Sequence, residues 1–145
     1  MIEFQVPGVP QQQGSKTRWG TEENENVRSW RESVAHTGTA VMRGAPLYDG
    51  PIRLSITFIF PRPKSHYRTG KYKGELRQSA PIHHTGPPDL DKLMRAIGDA
   101  LTGVVIRDDR QIAQWHARKI YGAHPGMTLR IETLVPQLTQ LETPA

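Results

Sequence analysis

Four aspartates in the second half of the chain have the residue type and spacing of a divalent-cation site. Asp89 and Asp91 follow two prolines, and Asp108 and Asp109 are adjacent to each other. Carboxylates that are brought close together repel one another, so a fold that gathers four of them needs a compensating positive charge. Because Mg²⁺ and Mn²⁺ prefer oxygen ligands, these aspartates predict a site for one of the two ions.

The stretch between the two aspartate pairs predicts the helix that positions them. Apolar residues recur at helical spacing over residues 90–101, and Thr102-Gly103 is typical of a helix end. Because Pro88 restrains the chain before this helix, Asp89 is predicted at the N-cap and Asp91 in the first turn. An N-cap side chain lies outside helical torsions, so both carboxylates can converge on one ion, and the turn after the helix can supply a third.

Each aspartate pair also has a purely structural interpretation. For Asp89 taken alone, helix capping is the preferred one, and such a cap stabilises a helix by about 0.5–2 kcal/mol. Adjacent aspartates such as Asp108 and Asp109 are also common in turns. The combination of both pairs with a neighbouring basic loop favours the metal site.

Residues 61–87 form a basic loop that accounts for the whole net charge of the chain. The protein has 19 Lys and Arg against 14 Asp and Glu, a formal net charge of +5, and this loop has six bases against Glu75 alone. The six are Arg62, Lys64, Arg68, Lys71, Lys73 and Arg77. Its glycines, its prolines and its lack of apolar periodicity indicate a mobile loop, for which phosphate is the favoured partner. A loop that is merely solvated is the alternative.

The order of elements predicts one α/β (α+β) domain over residues 1–136, with a mixed sheet, two main helices packed on it, and a tail at 137–145. Strands are assigned from apolar alternation and helices from helical periodicity. The predicted elements are a strand from Ile2 that ends at Pro7-Gly8, a polar loop at 10–20, a helix at 23–43 whose second half is weakened by residues 37–39, strands at 52–60 and 104–106, an extended segment at 111–121, a hairpin turn at 122–126, and a last strand at 127–133.

The composition excludes several classes of protein. The chain has no cysteine, which excludes disulfides, thiolate zinc sites and cysteine nucleophiles. No apolar run reaches the length of a membrane span, and the chain opens directly into a strand pattern without an export signal. We therefore expect a cytoplasmic protein with no membrane partner and no nucleotide cofactor.

The sequence contains three acidic motifs, which are Pro88-Asp89-Leu90-Asp91, Asp99-Ala100-Leu101-Thr102-Gly103-Val104-Val105 and Asp108-Asp109-Arg110-Gln111-Ile112. Together they resemble the motifs of a known family, the RusA family of Holliday-junction resolvases, many of them from phages or prophages. The detailed match covers about residues 88–120, with looser support from the start of the chain. The resemblance implies a homodimeric endonuclease of recombination and repair, which uses Mg²⁺, or Mn²⁺ in its place, to cut four-way DNA junctions symmetrically.

The resemblance also implies roles for single residues. Asp89, Asp91 and Asp109 are the implied essential carboxylates, with Asp108 as an acidic neighbour of lesser weight in the metal set. Arg95 stands where the family's catalytic basic residue is usually lysine. Because arginine keeps its charge but does not readily give up a proton, the role left for Arg95 is to hold a phosphate or to balance the carboxylates.

Further basic residues are predicted to contact DNA phosphates. They are Lys16, Arg18, Arg62, Lys64, Arg68, Lys71, Lys73, Arg77, Lys92 and Lys119. The implied reaction is hydrolysis by a metal-activated water, which leaves a 5′ phosphate and a 3′ hydroxyl. A junction has two equivalent strands, so a two-fold dimer with one site in each subunit can cut both.

Three alternatives stay open at this point. A restriction-type nuclease shares the Pro-Asp element, but the chain has no suitably placed downstream Asp/Glu-x-Lys motif. A non-catalytic DNA-binding module would use the aspartates only as caps and turns. His83-His84 can bind a metal in principle, but a third ligand is not evident, and solvated or phosphate-facing roles are preferred for them.

Overall fold

A mixed four-stranded sheet organises the chain, seen in a computed structural model that describes residues 1–14 and 24–134 and, between them, the backbone of two short strands. The main strands are β1 (Ile2–Pro7), β4 (Ile52–Phe60), β5 (Ile112–Tyr121) and β6 (Gly126–Thr133). Their order is β1-β6-β4-β5, in which β4 is parallel to β5 and the other two pairings are antiparallel. With helices α1 (Glu25–Met42) and α2 (Leu90–Leu101), this architecture confirms the predicted fold class.

The core lies between one face of the sheet and the two helices. The alternation predicted for β4 is regular, because Ile52 and every second residue to Phe60 are buried while the intervening residues are half-buried on the other face. From α2, Leu93, Ile97 and Leu101 enter the same cluster. None of the helices in the described ranges is both long and apolar enough to cross a membrane.

Helix α1 does not weaken at residues 37–39, contrary to the prediction. It begins at the N-cap Asn24, whose side chain accepts a hydrogen bond from the Val27 amide at 2.9 Å, and it continues to Met42. Gly38 is buried, and a Cβ at that position would lie 3.1 Å from the Val105 side chain. The glycine therefore allows close packing of the helix rather than ending it.

The predicted hairpin at 122–126 is wrong because β4 lies between β5 and β6. The connection instead passes over the end of β4, where the Gly122 amide donates to the Phe60 carbonyl at 3.0 Å. A Cβ at Gly122 would come within 2.6 Å of the Ile59 side chain, so this crossing requires glycine.

The predicted strand at 104–106 is also wrong. The amides of Val104, Val105 and Ile106 all turn back to the Leu101 carbonyl, at 3.1, 2.9 and 3.2 Å. These apolar residues close the end of α2, and two of them are buried there. The predicted polar loop at 10–20 includes the short strand β2 (Lys16–Thr17) and the first residue of its antiparallel partner β3 (Gly20–Thr21). The predicted tail lies outside the described residues.

Candidate active site

Asp89 occupies the predicted N-cap of α2 but does not cap the helix with its side chain. Its backbone is extended, at φ −72° and ψ 140°, and its carboxylate makes no capping hydrogen bond. The side chain is 63% exposed and is paired only loosely with Lys92, at 3.8 Å. The capping interpretation is therefore wrong for Asp89, and its carboxylate stays accessible to a ligand.

The approach to Asp89 is held by contacts from two distant parts of the chain. The Lys119 ammonium on β5 donates to the carbonyls of Gly86 and Pro88, each at 2.8 Å. The Asp89 amide donates to the Gln12 side chain at 3.1 Å, so the N-terminal segment also anchors the start of α2. This use of Lys119 differs from the predicted phosphate contact.

Asp91 and Arg95 lie one turn apart on the exposed face of α2. Both side chains are solvent-exposed, and residues four apart are neighbours on a helix surface. We call Asp89 and Asp91 the N-terminal acidic pair. Arg95 is thus a cation beside this pair, as the resemblance implies.

The second acidic group lies at the other end of α2, in the turn that leads to β5. Asp108 caps the short 3₁₀ helix Asp109–Gln111 by accepting from the Arg110 amide at 2.9 Å. The Gln111 side chain completes a capping box by accepting from the Asp108 amide at 3.0 Å, and it donates to the carbonyls of Tyr48 and Gly50. These contacts therefore support the purely structural interpretation of Asp108, as the cap of a turn.

Asp109 lies against α2 at Gly98. A Cβ at Gly98 would lie 3.5 Å from the Asp109 Cβ and 3.9 Å from its Oδ2. Partial desolvation against this surface raises the pKa of Asp109, and a hydrogen bond with Asp108 and the charges of Asp108 and Asp99 raise it further. The pKa of Asp108 is instead lowered, first by the bond from the Arg110 amide.

We call Asp99, Asp108 and Asp109 the C-terminal acidic group. They border an open groove of about 650 Å³ with Arg28 and Arg31 of α1, and an Arg31 nitrogen lies 4.0 Å from an Asp99 oxygen. Sequence reasoning missed these two arginines. Arg28 is exposed and Arg31 is half-buried on α1, and nothing local in the sequence indicates that this helix faces the second aspartate pair.

The predicted metal ligands Asp89, Asp91 and Asp109 do not meet at one point. Within residues 1–14 and 24–134, no three histidine or carboxylate side chains are placed to hold a metal ion. With a helical rise of about 1.5 Å per residue, Asp91 and Gly98 are about 10 Å apart along α2. The joint ligation of one ion by these three residues stays a prediction.

The donor chemistry of each acidic group nevertheless fits Mg²⁺. This ion commonly takes one or two carboxylates and completes its shell with water and substrate phosphate. Asp108 and Asp109 are near enough to share a hydrogen bond, and Asp99 adds a further negative charge beside Asp109. Because such crowding penalises ionised carboxylates, a cation would relieve it. The N-terminal acidic pair offers two further exposed carboxylates.

The basic loop divides its six cations into two sets. All three arginines bind groups within the loop: Arg62 donates to the Pro81 carbonyl at 2.7 Å, Arg68 to Glu75 at 3.1 Å, and Arg77 to the Ser65 carbonyl at 3.1 Å. These bonds hold a segment with two short 3₁₀ helices, Lys64–His66 and Gly70–Tyr72, where the sequence predicts no element. The mobility of the loop stays a prediction.

The loop lysines are used differently. Within the described part of the chain, the ammonium groups of Lys64, Lys71 and Lys73 have no hydrogen bond or ion pair to a protein group, although Lys71 lies 5.8 Å from the Tyr72 ring centroid. Lys64 and Lys73 border an open pocket of about 480 Å³. Of the other predicted DNA contacts, the Lys16 side chain and Arg18 lie outside the described residues.

His84 does not have the solvated or phosphate-facing role that the sequence favours. Its ring stacks on Phe60, with 4.3 Å between centroids, and contacts Tyr121. Burial, and then the charge of Lys119, lowers the pKa of His84. His84 therefore packs the loop against the sheet, whereas His83 is exposed.

Two comparisons with known proteins bear on this site. The chain is similar to the "Uncharacterized protein YqaN" of Bacillus subtilis (strain 168), with 26% identity over 97 residues, 67% of this chain and 65% of that protein. The chain thus spans less than two thirds of the length of this relative. A sequence profile described as Endodeoxyribonuclease RusA matches residues 5–132, which include both acidic groups, α2 and the basic loop. The chain belongs to the RusA endodeoxyribonuclease family.

Proposed function

We propose that this protein is a Mg²⁺-dependent, structure-specific endodeoxyribonuclease that resolves four-way DNA junctions by cutting two strands symmetrically, in DNA recombination and repair. Mn²⁺ is expected to substitute for Mg²⁺. One observation carries the proposal: in a chain of this endonuclease family, the exposed face of α2 bears carboxylates at both ends and Arg95 between them. That combination suits binding of a metal ion and a phosphate side by side.

The chain's own residues have separate roles in this proposal. Asp89, Asp91 and Asp109 would hold the metal, which when bound supplies an activated water and stabilises the leaving oxygen. Arg95 holds a phosphate oxygen, because its charge is permanent and its planar group forms paired hydrogen bonds. Asp108 supports the turn that presents Asp109, through the cap on the Arg110 amide.

Lys64, Lys71 and Lys73 are the proposed phosphate contacts of the basic loop. Their ammonium groups can approach DNA without breaking a bond that holds the loop, whereas the loop arginines cannot. Lys92 lies beside Asp89 and is the proposed contact nearest to the reacting phosphate. Phosphate contacts of this kind position DNA without reading its sequence.

A homodimer is part of the proposal, because a four-way junction presents two equivalent strands. Two sites related by two-fold symmetry would cut both strands and leave duplexes that can be ligated. Sedimentation of the purified protein, alone and with a junction, measures its oligomeric state. A monomer in both samples would remove the symmetric mechanism.

The direct test is cleavage of a synthetic four-way junction by purified protein, with Mg²⁺ and with EDTA, beside a linear duplex of the same sequence. The proposal predicts paired cuts in the junction with Mg²⁺, none with EDTA, and little cutting of the duplex. A different metal-dependent nuclease would cut both substrates. Binding in both buffers without any cut would identify a non-catalytic DNA-binding module, the alternative that the dispersed carboxylates favour.

A further inference from the structure

Lys119 lies on the inner face of the sheet rather than on a surface that faces outward. It pairs in register with Phe58, which is fully buried, and directly opposite residues of neighbouring strands point to the same face. The side chain is half-buried. An ammonium group taken out of water needs hydrogen-bond acceptors. Lys119 finds two, the carbonyls of Gly86 and Pro88 at 2.8 Å each.

The second of these carbonyls belongs to the peptide that leads into Asp89. The Lys119 ammonium binds the oxygen of the Pro88-Asp89 peptide, and the Gln12 side chain accepts from the N–H of the same peptide at 3.1 Å. A peptide unit is planar, so bonds to both of its polar groups fix the orientation of the whole plane. The direction in which the Asp89 Cα–Cβ bond leaves the backbone depends on that plane.

Neighbouring contacts extend this arrangement into the first turn of α2. The Leu93 amide donates to the Asp89 carbonyl at 3.0 Å, and the Gln13 amide donates to the Lys92 carbonyl at 3.2 Å. The His84 amide also donates to the backbone carbonyl of Lys119, at 3.1 Å. The segment before Asp89 is thus tied to β5 by both the main chain and the side chain of Lys119.

We propose that Lys119 is a positioning residue of the active site: with Gln12 it clamps the Pro88-Asp89 peptide and so sets the direction of the Asp89 carboxylate. This role rests on the proposed function, in which Asp89 takes part in hydrolysis. It replaces the phosphate contact that the sequence predicts for Lys119. Two of its three N–H donors are engaged within the protein, which leaves one for any other contact.

The experiment compares Lys119→Met, which keeps the length of the side chain but removes the charge, with Lys73→Met in the basic loop. Junction affinity is measured in EDTA over a range of salt concentrations, and kcat and KM are measured with Mg²⁺. Lys119→Met is expected to lower kcat about 10–100-fold, the usual loss when a supporting contact of a metal ligand is removed. Its junction affinity and salt dependence stay at the wild-type values.

The control variant should behave in the opposite way. Lys73→Met weakens junction binding, raises KM and reduces the salt slope by about one, as expected when one phosphate is no longer neutralised. If Lys119→Met instead gives this pattern, Lys119 is a DNA contact and the proposal is wrong.

Two further variants separate positioning from loss of the fold. Gln12→Ala removes the other half of the clamp without touching β5, and it should also lower kcat at constant junction affinity. The double variant should lose less than the product of the two single effects, because both act on one peptide. Lys119→Arg, which keeps the charge, should recover part of the lost kcat. A wild-type kcat in folded Gln12→Ala would overturn the clamp.

Hydrogen exchange distinguishes a failure of this inference from a failure of the proposed function. Amides of residues 84–92 should exchange faster in Lys119→Met and in Gln12→Ala than in the wild type and in Lys73→Met. This result is expected even if the wild type cuts no DNA, in which case the clamp stands and the nuclease proposal falls. Equal exchange in all four proteins would refute the clamp itself.

Discussion

The C-terminal acidic group and the basic loop differ in how far the fold compensates the charges of their side chains. The loop uses its arginines to hold its own structure and leaves three lysines without a hydrogen bond or ion pair in the described part of the chain. At the C-terminal acidic group, crowding of like charges raises the pKa of Asp109. In the loop, the lysines that we assign to function make no hydrogen bond or ion pair within the described residues, and at the C-terminal acidic group the carboxylate that we assign to function is the one that like charges crowd.

The largest expected effect is a difference in cleavage between variants of two adjacent aspartates. Asp109→Asn should reduce junction cleavage by about a hundredfold or more, because it removes a proposed metal ligand and even the supporting partners of such ligands are worth about 10–100-fold. Asp108→Asn is the matched control, because asparagine is as good a cap as aspartate and should keep cleavage within about tenfold. Initial rates at saturating Mg²⁺ measure both. Equal losses in the two variants would contradict the division of roles between them.

The next effect tests the division between loop lysines and loop arginines. Replacement of Lys64, Lys71 and Lys73 by alanine should weaken junction binding and lower the salt slope by about 0.9 for each phosphate that is no longer neutralised. Arg77→Ala should instead loosen the loop, because it removes the bond to the Ser65 carbonyl. Limited proteolysis detects that loosening. Faster proteolysis of the lysine variant than of Arg77→Ala would reverse the assignment.

A smaller effect concerns the dependence of stability on pH. Because the pKa of Asp109 is raised in the fold, its ionisation destabilises the native state as pH rises through the window between its ordinary and its raised pKa. At neutral pH the free energy of unfolding of Asp109→Asn should therefore exceed that of the wild type. The difference should shrink below about pH 4, near the ordinary aspartate pKa. Urea titrations at both pH values measure this, and a variant that is less stable at pH 7 would contradict it.

Local patterns predict the elements that carry the acidic residues. The alternation from Ile52 to Phe60 and the helical spacing in α2 are properties of neighbouring residues, and both elements have the predicted bounds. Pro88 before the helix is enough to place Asp89 at the N-cap.

Features that depend on distant parts of the chain are not predictable in this way. The order of strands is not local, so the link at 122–126 has the sequence of a hairpin although β4 lies between its strands. Glycine disfavours helix, so Gly38 locally predicts a weak point in α1. Its close contact with Val105, which explains its presence there, is tertiary and cannot be predicted from neighbouring residues. The same limit explains why the sequence groups Lys119 with the phosphate contacts, since its two carbonyl partners are more than 30 residues away in the chain.

The central claim is that the carboxylates at the two ends of α2 are needed for strand cleavage, while other residues bind the DNA. The most direct measurement is cleavage of a four-way junction by Asp91→Asn with Mg²⁺, with junction affinity measured in parallel in EDTA. We expect a variant that binds the junction as tightly as the wild type, or slightly more tightly because a negative charge is removed, and that makes no paired cuts. A variant that cuts the junction at the wild-type rate would contradict the claim.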